Sequence, residues 1–205
     1  MGNVFGIFPT NILVDNFKEG VNSDQMNFIM DREWLPFNKI NPNLRSYETD
    51  ILNSDKLKNI RKFIEQNISN YALNVMGLID VELYVTQSWL NRNSTGKDHH
   101  IHNHPNSIIS GVFYVQCKPD TGAIRFHKEM SLNRTIHFSE CSKTEFNAPY
   151  FDFNVNSNDL ILFPSTLSHS VNINTDLEDR ISIAFNTFVR GSFGSIDGLT
   201  RLELK

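Results

Sequence analysis

A cluster of histidines is the feature of this sequence that could most clearly do chemistry. Four of the seven histidines lie within six residues: His99, His100, His102 and His104. Neutral imidazole is the commonest side-chain ligand for transition metals, so the cluster predicts a metal site. If the segment is extended, alternate side chains share a face, which places His100, His102 and His104 on one side. Two of these three could then bind one ion.

A third ligand has to come from another part of the chain, and His169 is the best candidate. It follows the strand-like apolar run 159–164 and precedes the alternating run 180–186. In the latter run Arg180 and Ser182 would share one face, while isoleucine and phenylalanine side chains occupy the other. The run therefore predicts a strand with one polar and one apolar face, close in sequence to the third ligand.

One amphipathic helix is predicted ahead of these segments. Ser54 can cap its start, and apolar residues then recur at helical spacing from Leu57 to Val75, with charged residues between them. Gly77 can end the helix. Such a stripe is typical of a face that packs on a core, so we assign it no chemistry.

From residue 80 to about residue 190 the apolar pattern has a period of two, which predicts a succession of short strands. Clusters of Asn, Ser, Thr, Gly, Asp and Pro separate them. This number and spacing of strands is typical of a sandwich or jelly roll. The predicted strands are 81–90, 100–104, 108–117, 122–127, 134–139, 150–155, 159–163, 168–173 and 180–189.

The N-terminal 50 residues combine short apolar runs with many asparagines, prolines and charges, which predicts one or two edge strands with irregular connections. Their aromatic side chains are expected to pack onto the main body, or alternatively to form a lid facing a substrate: Phe5, Phe8, Trp34 and Phe37. The 205 residues fit one domain. We divide it into residues 1–79 (strands and helix), 80–190 (core) and 191–205 (a loop and a final short element).

Composition excludes several classes of protein. A net charge of −4 and a pI near 6.0 give no basic excess for unspecific nucleic-acid binding. No apolar run approaches the roughly 20 residues of a membrane span. Cys117 and Cys141 form no CxxC pair and no disulfide framework, which suits a reduced compartment. We expect a cytoplasmic protein, in the host cytoplasm if a phage encodes it.

The order of these segments resembles that of the 2-oxoglutarate- and Fe(II)-dependent dioxygenases. That family has His-x-Asp or His-x-Glu, then a distal histidine, then Arg-x-Ser. The counterparts here are His102-Asn103-His104, His169 and Arg180-Ile181-Ser182. The resemblance runs from about residue 88 to residue 189. It is strong with small oxygenases of marine bacteria and their phages, through the runs His-Pro-Asn-Ser, Ser-Gly-Val-Phe-Tyr-Val and Leu-Phe-Pro-Ser.

The resemblance implies a mainly β (α+β) fold, a cupin-like jelly roll or double-stranded β-helix with a packed N-terminal helix. It also implies hydroxylation of a substrate, coupled to decarboxylation of 2-oxoglutarate to succinate. Three protein ligands on one face of Fe(II) leave two positions for the oxo acid and one for O₂. A guanidinium suits the remote carboxylate because it is permanently charged and binds in a bidentate fork. The implied residues are His102, His104 and His169 for Fe(II), and Arg180, Ser182 and Tyr114 for 2-oxoglutarate.

The sequence departs from the family where the usual carboxylate ligand is His104. An all-histidine triad has one negative charge fewer, and three-histidine sites also hold catalytic Zn²⁺. A second interpretation uses His100 and His102 as ligands, with His104 behind them and Asp98 as a nearby carboxylate. The segment 127–129 is literally His-Lys-Glu, but it follows what the pattern predicts to be the strand after the metal strands.

Two other functions compete with the oxygenase. A cupin-like three-histidine metalloenzyme that uses no 2-oxo acid would be indifferent to loss of Arg180. A non-catalytic jelly-roll module would bind metal only for stability. Variable loops choose the substrate, here residues 20–50, 91–99 and 128–148. They lack the aromatic and basic alternation of a nucleic-acid groove, so a small molecule or peptide is expected. His99 and His137 are expected to be incidental.

Overall fold

The structure is a computed structural model that describes residues 2–3, 5–7, 9–37, 43–79, 81–128, 144 and 146–204. The predicted strand 134–139, His137, Glu129 and Cys141 lie outside these residues. The α-helices of the described part are α1 (Ser23–Met30) and α2 (Lys58–Asn74), and two 3₁₀ turns, Ile51–Asn53 and Asp55–Leu57, precede α2. Its strands are β1 (Leu13–Asn16), β2 (Trp34–Pro36), β3 (Leu44–Ser46), β4 (Glu82–Asn93), β5 (His99–His102), β6 (Ile109–Gln116), β7 (Ile124–His127), β8 (Tyr150–Phe153), β9 (Asp159–Pro164), β10 (His169–Val171), β11 (Arg180–Phe193) and β12 (Leu202–Leu204).

The strands form two antiparallel sheets, and the chain crosses repeatedly from one to the other. The large sheet has the order β1-β9-β6-β11-β4-β3-β2, with β12 paired to β11. The small sheet has the order β5-β10-β7-β8. From β5 onward the chain enters the large sheet at β6, β9 and β11 and returns to the small sheet between them. The predicted mainly β jelly roll is confirmed.

Strand β11 shows how the alternating sequence builds the core. Ile181, Ile183 and Phe185 join a buried cluster with helix α2 on one face of the large sheet. Arg180 and Ser182 project from the opposite face and line a pocket between the sheets. The prediction of one polar and one apolar face is therefore confirmed. Helix α2 is covered by the large sheet along its apolar stripe, as its periodicity indicated.

Of the two α-helices, the sequence analysis predicted only α2. Helix α2 lies within the predicted segment, and Gly77 takes φ +67° after it. Ser54, the predicted cap of this helix, instead caps the 3₁₀ turn Asp55–Leu57 that leads into it: its Oγ accepts a hydrogen bond from the Lys56 N–H, and α2 begins at Lys58 without a side-chain cap. Helix α1 falls in a segment expected to be irregular. Asn22 and Gln25 form a reciprocal capping box at its start, a signal that was readable. No helix of the described residues has both the length and the apolar character needed to cross a membrane.

The N-terminal aromatic side chains differ in their exposure and packing. Phe5 is 75% exposed, so its predicted packing is wrong, and Phe8 lies outside the described residues. Trp34 packs against the core cluster as expected. Phe37 lies against two histidine rings instead, 4.7 Å from that of His99 between centroids.

Candidate metal centre and co-substrate pocket

Three histidines meet where the small sheet faces the large one. His102 ends β5 and lies opposite His169, the first residue of β10. His104 follows two residues after β5, and its Nε2 atom lies 3.3 Å from that of His169. The potential ligand nitrogens of the three side chains all lie within 4.8 Å of one another. We call His102, His104 and His169 the inner group, and they are the three residues that the family resemblance implied.

Backbone carbonyls orient two of these rings. His102 Nδ1 lies 2.9 Å from the His100 carbonyl oxygen, and His169 Nδ1 lies 3.0 Å from that of Leu167. Because a carbonyl can only accept, each Nδ1 carries the proton and each Nε2 keeps a lone pair for a metal. Burial lowers the pKa of His169 to about 3 and that of His104 to about 4, and the neighbouring histidines are the second cause of both shifts. Neutral imidazoles are the form that binds metal.

A network of buried serines holds the turn that carries His104. The backbone N–H of His104 donates to the Ser165 carbonyl at 3.0 Å. Ser165 Oγ lies 2.7 Å from both Ser107 Oγ and Ser110 Oγ. Asn106, which lies between His104 and Ser107 in the sequence, takes φ +58°, a conformation that asparagine tolerates better than most residues. The three sequence runs that carried the family resemblance thus meet in one hydrogen-bonded network behind His104.

A second histidine group lies beside the first. His99, His100 and His102 also bring their potential ligand nitrogens within 4.8 Å of one another, and we call them the outer group. His99 and His100 stack with ring centroids 4.8 Å apart. Strand β5 is an edge strand, and its register with β10 shifts after His169, so adjacent side chains need not alternate strictly. His99, expected to be incidental, is part of this group, and so is His100.

The other candidates for metal binding lie elsewhere. His127 projects from β7 on the side opposite Phe126, which contacts the ring of His169. Its Nε2 lies 2.9 Å from Ser170 Oγ. Within the described residues, neither His127 nor Asp98 belongs to a group that could hold a metal. Glu129, the other half of the His-x-Glu segment, lies outside the described residues.

Arg180 lies at the far end of the same pocket, at the start of β11. It is 4% exposed, donates a hydrogen bond to the Gly122 carbonyl, and lies with its guanidinium carbon 4.9 Å from the Tyr114 ring centroid. The nearby carboxylates Asp176 and Glu178 pair with Lys118. Among the described residues Arg180 takes part in no ion pair. A buried charge without a counter-charge is costly, so this end of the pocket fits an anion.

Polar groups on the neighbouring strands surround Arg180. Ser182 pairs in register with Tyr114 of β6, and Arg180 pairs with Asn93 of β4. The Tyr114 hydroxyl is buried near a guanidinium that can only donate, so its own hydrogen meets no acceptor in the described part of the chain. Burial raises the pKa of Tyr114 and keeps it protonated. Asn93 Nδ2 is also buried without a partner there. The donors of Arg180, Tyr114 and Asn93 therefore line the same pocket as Ser182.

The two ends share a single pocket of about 210 Å³. Val112, Ile124, Val171 and Ala184 form its apolar walls, and Phe37, Trp89 and Asn91 line it beside the histidines. Pockets for drug-sized ligands are typically about 300–1,000 Å³, so this one suits a smaller molecule. The sequence had placed 91–99 in a loop, and it missed Asn91 and Asn93 because β4 continues to residue 93.

Comparisons with known proteins agree with this geometry. A family model described as "Putative 2OG-Fe(II) oxygenase" matches residues 87–186. No curated protein sequence gives a significant match. Among solved structures, HygX from Streptomyces hygroscopicus, with nickel, 2-oxoglutarate and hygromycin B bound, has a TM-score of 0.58 at 12% identity, covering 87% of this chain and 82% of HygX. A prolyl-4-hydroxylase from Pseudomonas putida has a TM-score of 0.58 at 13% identity, covering 89% and 94%.

A further neighbour is the 2-oxoglutarate-dependent epimerase SnoN of nogalamycin biosynthesis. Its TM-score is 0.58 at 12% identity, covering 80% of this chain and 69% of SnoN. At such identities the likeness is one of fold. The fold inferred from the sequence resemblance is confirmed, and the reactions named for these neighbours differ from one another.

Proposed function

We propose that this protein is a 2-oxoglutarate- and Fe(II)-dependent oxygenase, because residues 87–186 match the family model of the 2OG-Fe(II) oxygenases. We further propose that it hydroxylates a small molecule or a peptide. One observation carries the proposal: a single small pocket has three imidazoles at one end and, at the other, a buried guanidinium with no ion-pair partner in the described part of the chain. Such a pocket suits a ligand that chelates a metal and ends in a carboxylate.

The donor set of the inner group fits a divalent iron. His102, His104 and His169 would hold it through Nε2, since the Nδ1 atoms of His102 and His169 already donate to carbonyls. When bound, Fe(II) and 2-oxoglutarate would activate O₂, which would take two electrons from the oxo acid, oxidised to succinate and CO₂, and two from the substrate. Imidazole is an established ligand type for iron, and three ligands leave sites for the co-substrates.

The carboxylate end would bind the remote carboxylate of 2-oxoglutarate. Arg180 supplies the charge, and Tyr114, Asn93 and Ser182 supply hydrogen-bond donors from three adjacent strands. Charge-assisted hydrogen bonds in a water-poor site are strong, and they fix direction as well as affinity. The four side chains therefore orient the oxo-acid end of the molecule towards the histidines.

The all-histidine group changes the charge of the pocket. Imidazoles are neutral, so a bound divalent ion keeps its full charge, where the family's usual carboxylate would remove one unit. Positive charge at both ends of the pocket matches a dianion with a carboxylate at both ends. The absence of a charged ligand thus favours the oxo acid, although it weakens the hold on a hard metal ion.

The test is an anaerobic titration of the Fe(II)-loaded protein with 2-oxoglutarate, followed by the visible charge-transfer band of the chelate. The wild type should develop the band. Arg180→Ala should require a much higher 2-oxoglutarate concentration, and His104→Ala should lose the band. Arg125→Ala is the matched control, because this arginine pairs with Asp152 on the outer face of β7.

A wild-type protein that binds metal but shows no band would overturn the proposal. If substrate turnover then proceeded without 2-oxoglutarate, the protein would be a three-histidine metalloenzyme, an alternative that the absence of a carboxylate ligand favours. If metal removal lowered the melting temperature and no turnover occurred, the site would serve stability alone.

A further inference from the structure

We propose that the outer group, His99, His100 and His102, is a capture site through which a divalent transition-metal ion reaches the inner group. The proposal requires that the inner group binds metal, as the proposed function does, but it is independent of the reaction. Its basis is the way in which the two groups share a ligand, the gradient of exposure along them, and the packing that fixes the outer rings.

The five histidines form a continuous series of neighbouring rings. Ring centroids lie 4.8 Å apart between His100 and His99, 4.8 Å between His99 and His102, and 4.3 Å between His102 and His169. His100 is exposed, His99 and His102 are half-buried, and His169 is 3% exposed. An ion moving along the series would therefore leave water step by step, with a nitrogen ligand near it at each step.

His102 belongs to both groups, and this determines how they can work together. Its Nδ1 donates to the His100 carbonyl, which leaves one nitrogen, Nε2, for metal. One lone pair cannot complete both groups at once. An ion passing inwards can stay bound to His102 while its bonds to His99 and His100 break and bonds to His104 and His169 form. The exchange needs no redox step, and the metal ion is never released into solvent.

The outer rings are held in place by residues outside the series. Phe37 lies with its ring centroid 4.7 Å from that of His99 and 6.0 Å from that of His100. Asn43, which is buried, donates from Nδ2 to the carbonyl of Asp98, immediately before His99. The opposite end of the pocket is closed by Arg180 and Tyr114, which are 4% and 0% exposed. The outer group therefore lies at the accessible end of the pocket.

Loading kinetics can test this directly. Trp89 lies with its ring 6.0 Å from that of His104, so its fluorescence reports arrival of a quenching ion at the inner group. Trp34 is the other tryptophan of the chain, and a Trp34→Phe background isolates the signal. Stopped-flow mixing of the metal-free protein with Co²⁺ gives the loading rate, and a chelator chase gives the release rate. His100→Ala is the test variant and His127→Ala the matched control.

In His100→Ala, loading and release should both slow by at least about tenfold, because capture turns the inner step into an intramolecular one. The equilibrium affinity should stay within about twofold, since a residue on the path changes the barrier and not the end states. The wild type should bind one Co²⁺ per chain. His99→Ala should behave like His100→Ala. An unchanged equilibrium affinity for Co²⁺ in either variant would show that the inner group keeps its structure.

Three results would overturn the proposal. Unchanged rates would make the outer histidines bystanders. A weaker affinity with faster release alone would make His100 a ligand of the resting ion. Two ions per wild-type chain, with one lost in His100→Ala, would make the outer group an independent site. A protein that loads Co²⁺ as expected but gives no 2-oxoglutarate band would keep the capture site and lose the oxygenase proposal.

Discussion

The two ends of the pocket are built from different kinds of structure. At the carboxylate end Arg180, Ser182, Tyr114 and Asn93 are 4%, 6%, 0% and 5% exposed, and they project from adjacent, fully paired strands. At the metal end the candidate ligands come from an edge strand, a turn and a strand start, and two of the three are half-buried. Under the proposed function the first end would bind one carboxylate. The second would have to admit a metal, O₂ and a substrate, which requires a more open structure.

Removing a metal ligand should have the largest effect and should be confined to the metal end. His169→Ala is expected to weaken Co²⁺ binding by more than about 100-fold. Loss of a residue that only hydrogen-bonds to a metal ligand typically costs about 10- to 100-fold. Isothermal titration measures the Co²⁺ affinity. His127→Ala removes an imidazole on the outer face of the same sheet and should bind Co²⁺ as the wild type does. Equal losses in both variants would contradict the assignment of the inner group.

Changing the shape of the cation should affect only the carboxylate end. Arg180→Lys keeps the charge but loses the bidentate fork, which should weaken 2-oxoglutarate binding by about 10- to 100-fold. Co²⁺ affinity should change by less than about twofold. Arg125→Lys, at an exposed pair, is the control. If Arg180→Lys loses metal as well, the two ends are not independent and the comparison fails.

Of the two ends of the pocket, only the metal end should contribute to acid destabilisation of the metal-free protein, because Arg180 stays charged in acid. His169 has a pKa of about 3 in the folded protein, against 6.5 for an ordinary histidine. Between these values the unfolded chain binds more protons, so the free energy of unfolding falls as the pH falls below 6.5. At pH 5 His169 alone should account for about 2 kcal/mol. Urea unfolding at pH 7 and pH 5 measures this loss.

In His169→Ala the loss of unfolding free energy between pH 7 and pH 5 should be smaller than in the wild type by about 2 kcal/mol. An identical pH dependence in the wild type and the variant would show that His169 is not buried in its neutral form.

Loosening the turn behind His104 should produce the smallest effect. Ser165→Ala removes the hydroxyl that joins Ser107 and Ser110, and it is expected to weaken Co²⁺ binding by about tenfold while 2-oxoglutarate affinity changes little. Ser170→Ala, which removes the partner of His127, is the control. A Ser165→Ala protein with wild-type metal affinity would show that the turn keeps its shape without the network.

The sequence predicted best where local pattern and burial agree. In β11 alternation alone placed Arg180 and Ser182 on one face and Ile183 on the other, and the structure shows that the first face lines the pocket and the second packs with helix α2. Helix α2 followed in the same way from its periodicity. The spacing of the histidines left open which two of His100, His102 and His104 bind a metal, and the family resemblance selected His102 and His104. The predicted strand 100–104 ends at His102, so a turn carries His104.

The rest depended on information that local pattern lacks. Asn93 became a candidate only once β4 was seen to continue beside Arg180, which is a matter of pairing between distant segments. His99 joined the outer group because an edge strand with an irregular register does not hold strict alternation. Phe37 reached the histidines through a connection whose course the sequence does not specify.

The division of the site between the sheets ties its chemistry to the cooperativity of the fold. Arg180, Tyr114 and Asn93 belong to the large sheet, whereas His102 and His169 belong to the small one. The small sheet's described strands are only three or four residues long, so backbone pairing alone gives it modest stability. A chelated dicarboxylate that contacted both sheets would act as a cross-link between them. Loading would then raise the free energy of opening of the small sheet towards that of the core.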